Sequence, residues 1–305
     1  MAKPADINVV ELPLAHCGVA EHCQALQRIK ALPFWWYIGT SGRFGNFSIP
    51  FQDRAGHWWY QVKPGLCWPA DCFAPIPPAE VSLPWGKSFL GYQHVVPDEA
   101  QADSHLVINA VLDLASYGSE SIDAKRRNSM RKGFKCCSLE VARSLDEDTL
   151  SGCLASWNDL SGRSGWKHCL DPASFGETFR LLLDCPGVSV IVGREIETGQ
   201  VAGFLVTKII GPTAYVDTIA SRTDMLHTNV NDAVMAAFVM NAAKIPGVTS
   251  AHYAIKSNVT NLEKFKTGLG FVPHPFPART RLRPGVGLLL KTLARDKYDR
   301  MTGRI

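Results

Sequence analysis

Between Val201 and Phe271 the sequence leaves few options for how the chain runs. Two β-like runs, Gly203–Ile210 and Thr213–Ser221, meet at Gly211-Pro212, a turn dipeptide that suits a hairpin. A helical pattern follows from Asn229 to Lys244, with Val230, Val234 and Phe238 recurring every fourth residue. Pro246-Gly247 closes that helix and Ser250–Ile255 reads as a short strand. Ser257-Asn258 offers cap chemistry for a second helix, Asn261–Gly268, in which Leu262, Phe265 and Leu269 share a face. Gly270 suits a left-handed helix stop, and Phe271-Val272 begins another strand. The order is strand, strand, helix, strand, helix, strand.

This order, closed by Asn258, Asn261, Leu262, Phe265, Lys266, Leu269, Gly270 and Phe271 in the form N-x-x-N-L-x-x-F-K-x-x-L-G-F, resembles the catalytic half of the GNAT superfamily of N-acyltransferases. The F-K-x-x-L-G-F form is similar to the FemAB branch, whose members join amino acids to amines in cell-wall precursors. The resemblance implies an α/β (α+β) fold, a GNAT-like mixed sheet flanked by helices, with two GNAT-like units in tandem. One departure stands out. GNAT enzymes place a Q/R-x-x-G-x-G/A loop before the central helix, where bare backbone N–H groups grip the pyrophosphate of coenzyme A. Here that loop reads Arg222-Thr223-Asp224-Met225-Leu226-His227-Thr228-Asn229, with an arginine and no glycine.

At 305 residues the chain exceeds the usual single domain. The expected organisation is an aromatic-rich unit over 1–120, a basic junction helix over 121–135, an acyltransferase unit over 136–293 and a tail over 294–305. Hydrophobic residues at 46% and charged residues at 20% are ordinary globular usage. No apolar run is long enough to span a membrane, and the first residues lack the apolar core of a signal peptide, so the expectation is a cytoplasmic protein. A net charge of +4 is too weak to demand nucleic acid, and DNA is not expected. The nine cysteines, Cys17, Cys23, Cys67, Cys72 and Cys136-Cys137 among them, show no C-x-x-C pairing even though His16 and His22 flank the first two. Buried, reduced thiols are expected and no metal.

In the first half, Ile7–Leu12 reads as a strand and Val19–Ala31 as an amphipathic helix ended by Pro33. Aromatics crowd the stretch after that helix, from Phe34-Trp35-Trp36-Tyr37, Phe44 and Phe47 to Trp58-Trp59-Tyr60, Trp68, Phe73 and Trp85. They are expected in the core. Asp53-Arg54-Ala55-Gly56 turns between Asn46–Phe51 and His57–Val62, proline-rich Lys63–Pro84 reads as irregular, and Ser88–Val95 and Leu106–Leu114 read as strands. Lys125, Arg126, Arg127, Arg131, Lys132 and Lys135 then put six cations in eleven residues. On a helix Arg127, Arg131 and Lys135 share a face. Such a run is either a solvated face or an anion site. FemAB-like proteins carry a similar R-x-x-x-R-K helix, which implies an anionic partner, a phosphate group or tRNA, for Arg126, Arg127, Arg131 and Lys132.

From Cys136 the pattern predicts seven strands and four helices. They are a strand to Ala142, a helix capped by Asp146, a polar loop at 161–168, a helix capped by Asp171, a hairpin at Glu197-Thr198-Gly199, the elements between Val201 and Phe271, and a last strand at Val286–Leu293. The tail is expected to be loosely held.

Amine acylation needs a proton acceptor, support for the carbonyl oxygen and close placement of two substrates. The resemblance implies that Thr213–Ser221 and Ser250–Ile255 splay apart, with the acyl group lying in the gap. Regular alternation would set Tyr215, Asp217 and Ile219 on one side. Asp217, ionisable within an apolar strand, is either the general base or amine-binding group, or a carboxylate paired with a nearby Arg or Lys. Tyr253 is either an acid toward the leaving group or a packed ring. Lys266 matches the FemAB-like FK pair and implies a cation near donor phosphate or the reacting carbonyl. Arg222, His227, Thr228, Asn229, Asn258 and Asn261 are candidate donor contacts, the polar ones among them equally helix caps. Tyr215, Trp166 and His168 are candidate acceptor contacts. Neither G-x-S-x-G, H-E-x-x-H nor a P-loop is present, which leaves direct attack by the amine. The expected function is acyl or aminoacyl transfer to an amine, with no covalently bound cofactor. The donor is aminoacyl-tRNA or a thioester on coenzyme A or a carrier, and the acceptor is a small amine or cell-wall-type precursor. The competing reading is a non-catalytic GNAT-like protein that binds RNA or another anionic partner.

Overall fold

The computed structural model describes residues 9–29, 49–144, 146–165, 171–257 and 259–302. Along the chain the strands are β1 (Phe51–Gln52), β2 (Trp58–Lys63), β3 (Leu66–Pro69), β4 (Gly91–Val95), β5 (Ser104–Val111) and β6 (Cys137–Val141). They continue as β7 (Val188–Glu195), β8 (Val201–Ile210), β9 (Thr213–Ser221), β10 (Ser250–Ile255) and β11 (Val272–Leu282). The helices are α1 (Val19–Ile29), α2 (Ala124–Cys136), α3 (Glu147–Arg163) and α4 (Pro172–Leu183). After them come α5 (Val230–Ala242), α6 (Thr260–Gly268), α7 (Val286–Leu293) and α8 (Arg295–Thr302).

The contacts divide the chain into two compact units. One takes Ala110–Ala254 and Val259–Val272 with the stretch ending at Cys17; the other takes the chain from Gly18 to Asn109, Ile255–Asn258 and everything from Pro273 on. The division therefore does not follow one linear cut, because the C-terminal segment belongs with the first half.

In the first unit the strands lie in the order β10-β9-β8-β7-β6. The β6–β9 neighbours are antiparallel and β9–β10 is parallel. Every residue of β8 is buried, which is why it reads as an apolar run, broken only at Thr207-Lys208, rather than an alternating one. On one face of the sheet Phe204 meets Phe179 and Phe175 of α4 with ring centroids 5.3 and 6.4 Å away. On the other, Leu205, Ile209 and Val216 join Val230, Val234 and Phe238 of α5 in the main core. Nearly all of α5 is buried, so its fourfold repeat marks a helix enclosed on all sides. Gly133 of α2 packs where a β-carbon would lie 2.7 Å from the Asn229 carbonyl, so glycine permits α2 to approach the start of α5. Caps form as expected at Asp146 and Asp171, whose side chains accept from Thr149 and Ser174 N–H.

In the second unit the order is β1-β2-β3-β4-β11-β5. The Asp53 turn joins β1 to β2, its Oδ1 accepting from Ala55 and His57 N–H at 2.9 and 3.0 Å. Trp59 is fully buried and meets Tyr92 and His94 edge-on, while Trp85 is exposed. The aromatics Phe34 to Phe47 lie outside the described residues.

Several expectations require correction. Residues 9–12 form no strand; Asn241 of α5 satisfies their backbone instead, its Oδ1 accepting from Leu12 N–H at 3.1 Å and its Nδ2 donating to Val10 O at 3.0 Å. The proline-rich connector contains β3. Val286–Leu293 is a helix, not the last strand, and the tail adds a further helix, α8. Leu, Lys and Gly in that run lack the β-branched enrichment of a strand, and periodicity alone does not separate the two states over so short a length. From Cys137 on, the described residues give six strands and six helices. At the start of α6 Val259 holds the cap position with no side-chain bond of its own, and Asn258 of the expected Ser257-Asn258 cap lies outside the described residues.

Candidate active site

The decisive geometry is where β10 leaves β9. Three register pairs join them, Ser250 with Thr213, Ala251 with Ala214 and His252 with Tyr215, and then the pairing stops. Two backbone irregularities mark the parting. On β9 the register with β8 shifts between Val206 and Thr207, whose partners are Thr218 and Val216, so Asp217 is an extra, unopposed residue. On β10, Ala254 takes φ +57°, a left-handed conformation that a regular strand does not contain. A bulge on one strand and a left-handed residue on its neighbour mark the place where the two strands part, as the resemblance implied.

The bulge also corrects the expected alternation. Lys208, opposite Tyr215, reaches Asp217 Oδ1 at 3.4 Å and lies 5.1 Å from the Tyr215 ring centroid, so Tyr215 and Asp217 do share a side. Ile219 does not. It pairs with Leu205 and packs into the main core on the opposite face. His252 continues the polar group on the Lys208 side: its ring is 5.8 Å from that of Tyr215 and its Nε2 is 3.0 Å from Ser250 Oγ. Burial pushes the Asp217 carboxyl above its ordinary value, with Lys208 pulling the other way. A carboxylate held in that balance is a proton acceptor with more affinity than one in water.

Tyr253 follows His252 and points to the other face, into the main core. There Lys266 Nζ lies 5.1 Å from the Tyr253 ring centroid and 3.0 Å from Glu263 Oε1, and Lys266 is only 1% exposed. Burial raises the Tyr253 phenol, which keeps it protonated. The structure thus unites Tyr253 with Lys266 and sets Asp217 on the opposite side of the sheet. Lys208, His252, Ser250 and Glu263 complete the two groups and were not singled out in the sequence. For Lys208 a signal existed, since the Gly211-Pro212 turn sets it across the hairpin from Tyr215.

The predicted donor loop is occupied by its own contacts. Arg222 pairs with Asp224 at 2.6 Å and donates to Gln200 Oε1 at 2.9 Å. His227 sits 3.1 Å from Glu195 Oε1, and buried Thr228 donates to Met225 O. Asn229 occupies the position before α5 at φ +56° with no side-chain cap, so the expected capping by Thr228 and Asn229 is replaced by a backbone role. Asparagine tolerates that left-handed conformation better than most other residues carrying a side chain. Asn231 is likewise turned inward, donating to Ser221 Oγ at 3.0 Å. A groove of about 770 Å³ beside this loop is lined by Asp148, Asp159, Gln200, Arg222, Thr223 and Asp224 with parts of α3; it includes none of Tyr215, Asp217, Tyr253 or Lys266. Asn261 is exposed in the first turn of α6, and Trp166 and His168 lie outside the described residues.

The basic helix forms as α2, but its cations divide. Arg126 bonds buried Asp232 at 3.1 Å and stacks 4.8 Å from the Phe265 ring centroid. Arg127 donates to the carbonyls of Ser119 and Ile122, and Arg131 to Asn128 Oδ1. Lys125, Lys132 and Lys135 divide from these: Lys125 is exposed, and Lys132 and Lys135 follow on the later turns of the helix.

No family model matches the chain, and no curated protein sequence matches it. Solved structures match along nearly its whole length. L-PGS from Bacillus licheniformis superposes with a TM-score of 0.53 at 13% identity, covering 94% of this chain and 97% of that one. FemX superposes with a TM-score of 0.51 at 10% identity, covering 91% and 98%. The fold is GNAT-like, of FemAB type. A third structure agrees, the DUF2156 domain at the C-terminus of a protein from Agrobacterium fabrum assigned as a lysylphosphatidylglycerol synthetase. Its TM-score is 0.52 at 12% identity, over 94% of this chain and 98% of that one. The FemAB-type likeness read from F-K-x-x-L-G-F thus extends in three dimensions to both units. Among the described residues no helix is long and apolar enough to cross a membrane.

Proposed function

We propose that the chain is an N-acyltransferase that moves an activated acyl or aminoacyl group onto an amine in the crevice between β9 and β10. The observation that carries this reading is the end of pairing at His252–Tyr215, with Asp217 bulged immediately beyond it. A reactive carbonyl lying along the edge of β9 meets backbone that β10 no longer covers, with the buried Asp217 carboxylate on that strand just past the last pair. The amine nitrogen attacks the carbonyl carbon and its proton passes to Asp217. Collapse of the tetrahedral intermediate expels the leaving oxygen or sulfur, which takes the proton back. Lys266 contributes positive charge from the other face and Tyr253 stays a neutral donor.

Aminoacyl-tRNA is the favoured donor, because Arg222 is neutralised by Asp224 where a coenzyme A pyrophosphate would need cation and glycine together. The lysines of α2, Lys125, Lys132 and Lys135, suit an RNA backbone. A coenzyme A or carrier thioester is the alternative donor, and the acceptor is a small amine or a lipid or cell-wall precursor bearing one. A second reading, a non-catalytic protein binding RNA or another anion, is favoured by the ion pairs that already occupy Asp217 and Lys266. The test is transfer of labelled acyl groups from charged tRNAs and from acyl-coenzyme A by wild type and Asp217→Asn. Loss of about a hundredfold or more in the variant supports the base role. Undiminished transfer removes it, and absence of transfer from every donor by wild type favours the binding protein.

A further inference from the structure

The helix that replaced the expected last strand presents its leucines to solvent. In α7, Leu288, Leu289 and Leu293 are 69%, 56% and 78% exposed. At 100° per residue they fall, with Thr292, within an arc of about 140°, while Val286 and Leu290 are half-buried on the inner side. Gly287 faces Leu282 of β11, which sets the inner side against its own unit. Three large aliphatic side chains side by side are a patch of the kind that marks an interaction surface.

The charge around the patch indicates what covers it. From Arg279 to Lys291 the chain has four cations and no carboxylate. Arg281, Arg283 and Lys291 are exposed, and Lys291 lies next to Leu288 on the helix surface. Arg295, at the start of α8, is exposed but pairs with Asp299 Oδ2 at 3.5 Å, so it does not add to the free charge of this rim. A second copy of this chain meeting the patch through a twofold axis would bring these cations against their own counterparts. An apolar face rimmed by cations is instead complementary to an anionic lipid surface, with the leucines at the acyl boundary and Lys291 reaching up to the phosphates.

We infer that α7 docks the protein on anionic phospholipid bilayers, lying in the plane of the interface. This surface lies in the unit that does not hold the β9–β10 crevice, so the inference stands or falls independently of acyl transfer. Flotation with vesicles tests it, using phosphatidylglycerol mixed with phosphatidylcholine against phosphatidylcholine alone. The full chain floats with the anionic vesicles. The triple variant Leu288→Ser/Leu289→Ser/Leu293→Ser partitions at least about thirtyfold less. Lys291→Glu weakens binding about tenfold on anionic vesicles and little on neutral ones. Far-ultraviolet circular dichroism verifies that the variants fold, and Leu289→Ser alone serves if the triple variant does not. The inference is overturned if wild type stays with the unbound fraction or if the leucine variants float as well as wild type. It is equally overturned if sedimentation shows a wild-type dimer that the leucine substitutions dissolve.

Discussion

Replacing Lys208 with methionine removes the cation beside Asp217 while keeping an unbranched side chain of similar length. In the native protein the two groups are 3.4 Å apart, with side chains 7% and 10% exposed. Burial already lifts the Asp217 carboxyl above its ordinary value of 3.8, and Lys208 is the opposing influence. Without it the carboxyl rises further. Breaking a buried pair from one side costs about 3–5 kcal/mol because the remaining charge is uncompensated. The sign with pH comes from proton linkage. A carboxyl whose folded value is raised binds its proton more tightly in the native state. Its stability contribution is therefore greatest below the unfolded value and declines as pH rises through the folded one. Lys208→Met moves that folded value upward, so its penalty against wild type is smallest below the folded value and grows as pH rises through it. Urea denaturation at about pH 5 and about pH 8 measures this as two midpoint shifts, the second much larger. The double variant Lys208→Met/Asp217→Leu recovers most of the loss, since neither charge is then left buried. If acyl transfer is observed, the acid limb of its pH–rate profile also shifts to higher pH in Lys208→Met. A penalty below about 1 kcal/mol at both pH values would mean that the pair is screened by solvent, and the reasoning fails.

Other outcomes test the backbone features around the crevice and the state of the thiols. Gly270→Ala is destabilised by about 2 kcal/mol or more in denaturant melts, because φ is +87° and a β-carbon would sit 2.7 Å from the Ser121 carbonyl oxygen. Ala254→Gly gains about 0.5–1 kcal/mol, since the left-handed penalty of alanine exceeds the added chain entropy; a loss there would mean that the β10 kink is not strained. Burial pushes Cys67, Cys153 and Cys185 up to about 12, so all three resist iodoacetamide in the native protein at neutral pH and react once it is unfolded.

The features legible in the sequence are those whose signals are local. Gly211-Pro212 separates two β runs, and the β8–β9 hairpin forms around it; Ser250–Ile255 forms at the expected residues, and Gly270 takes the left-handed angle its place after a helix requires. The crevice was implied by likeness to a fold, not by any residue pattern, and its physical cause was hidden. Nothing in Thr213–Ser221 spells a bulge, so regular alternation placed Ile219 beside Asp217 when it lies on the other face. The ion pairs divide in the same way. Arg222 with Asp224 is two residues apart and visible locally, whereas Arg126 with Asp232 bridges two helices far apart in sequence. The run Val286–Leu293 misled because eight mostly apolar residues fit a strand or a helix, and only tertiary packing on Leu282 decides.

Hydrogen exchange resolved by peptide mass spectrometry, with and without charged tRNA or an acyl-coenzyme A, tests the crevice most directly. With the true donor bound, protection rises in β9 beyond Val216 and in β10 from His252 to Ile255, because the acyl arm satisfies the strand edges that part there. Donor-dependent protection elsewhere in the protein, with those two edges unchanged, would place the chemistry outside the crevice.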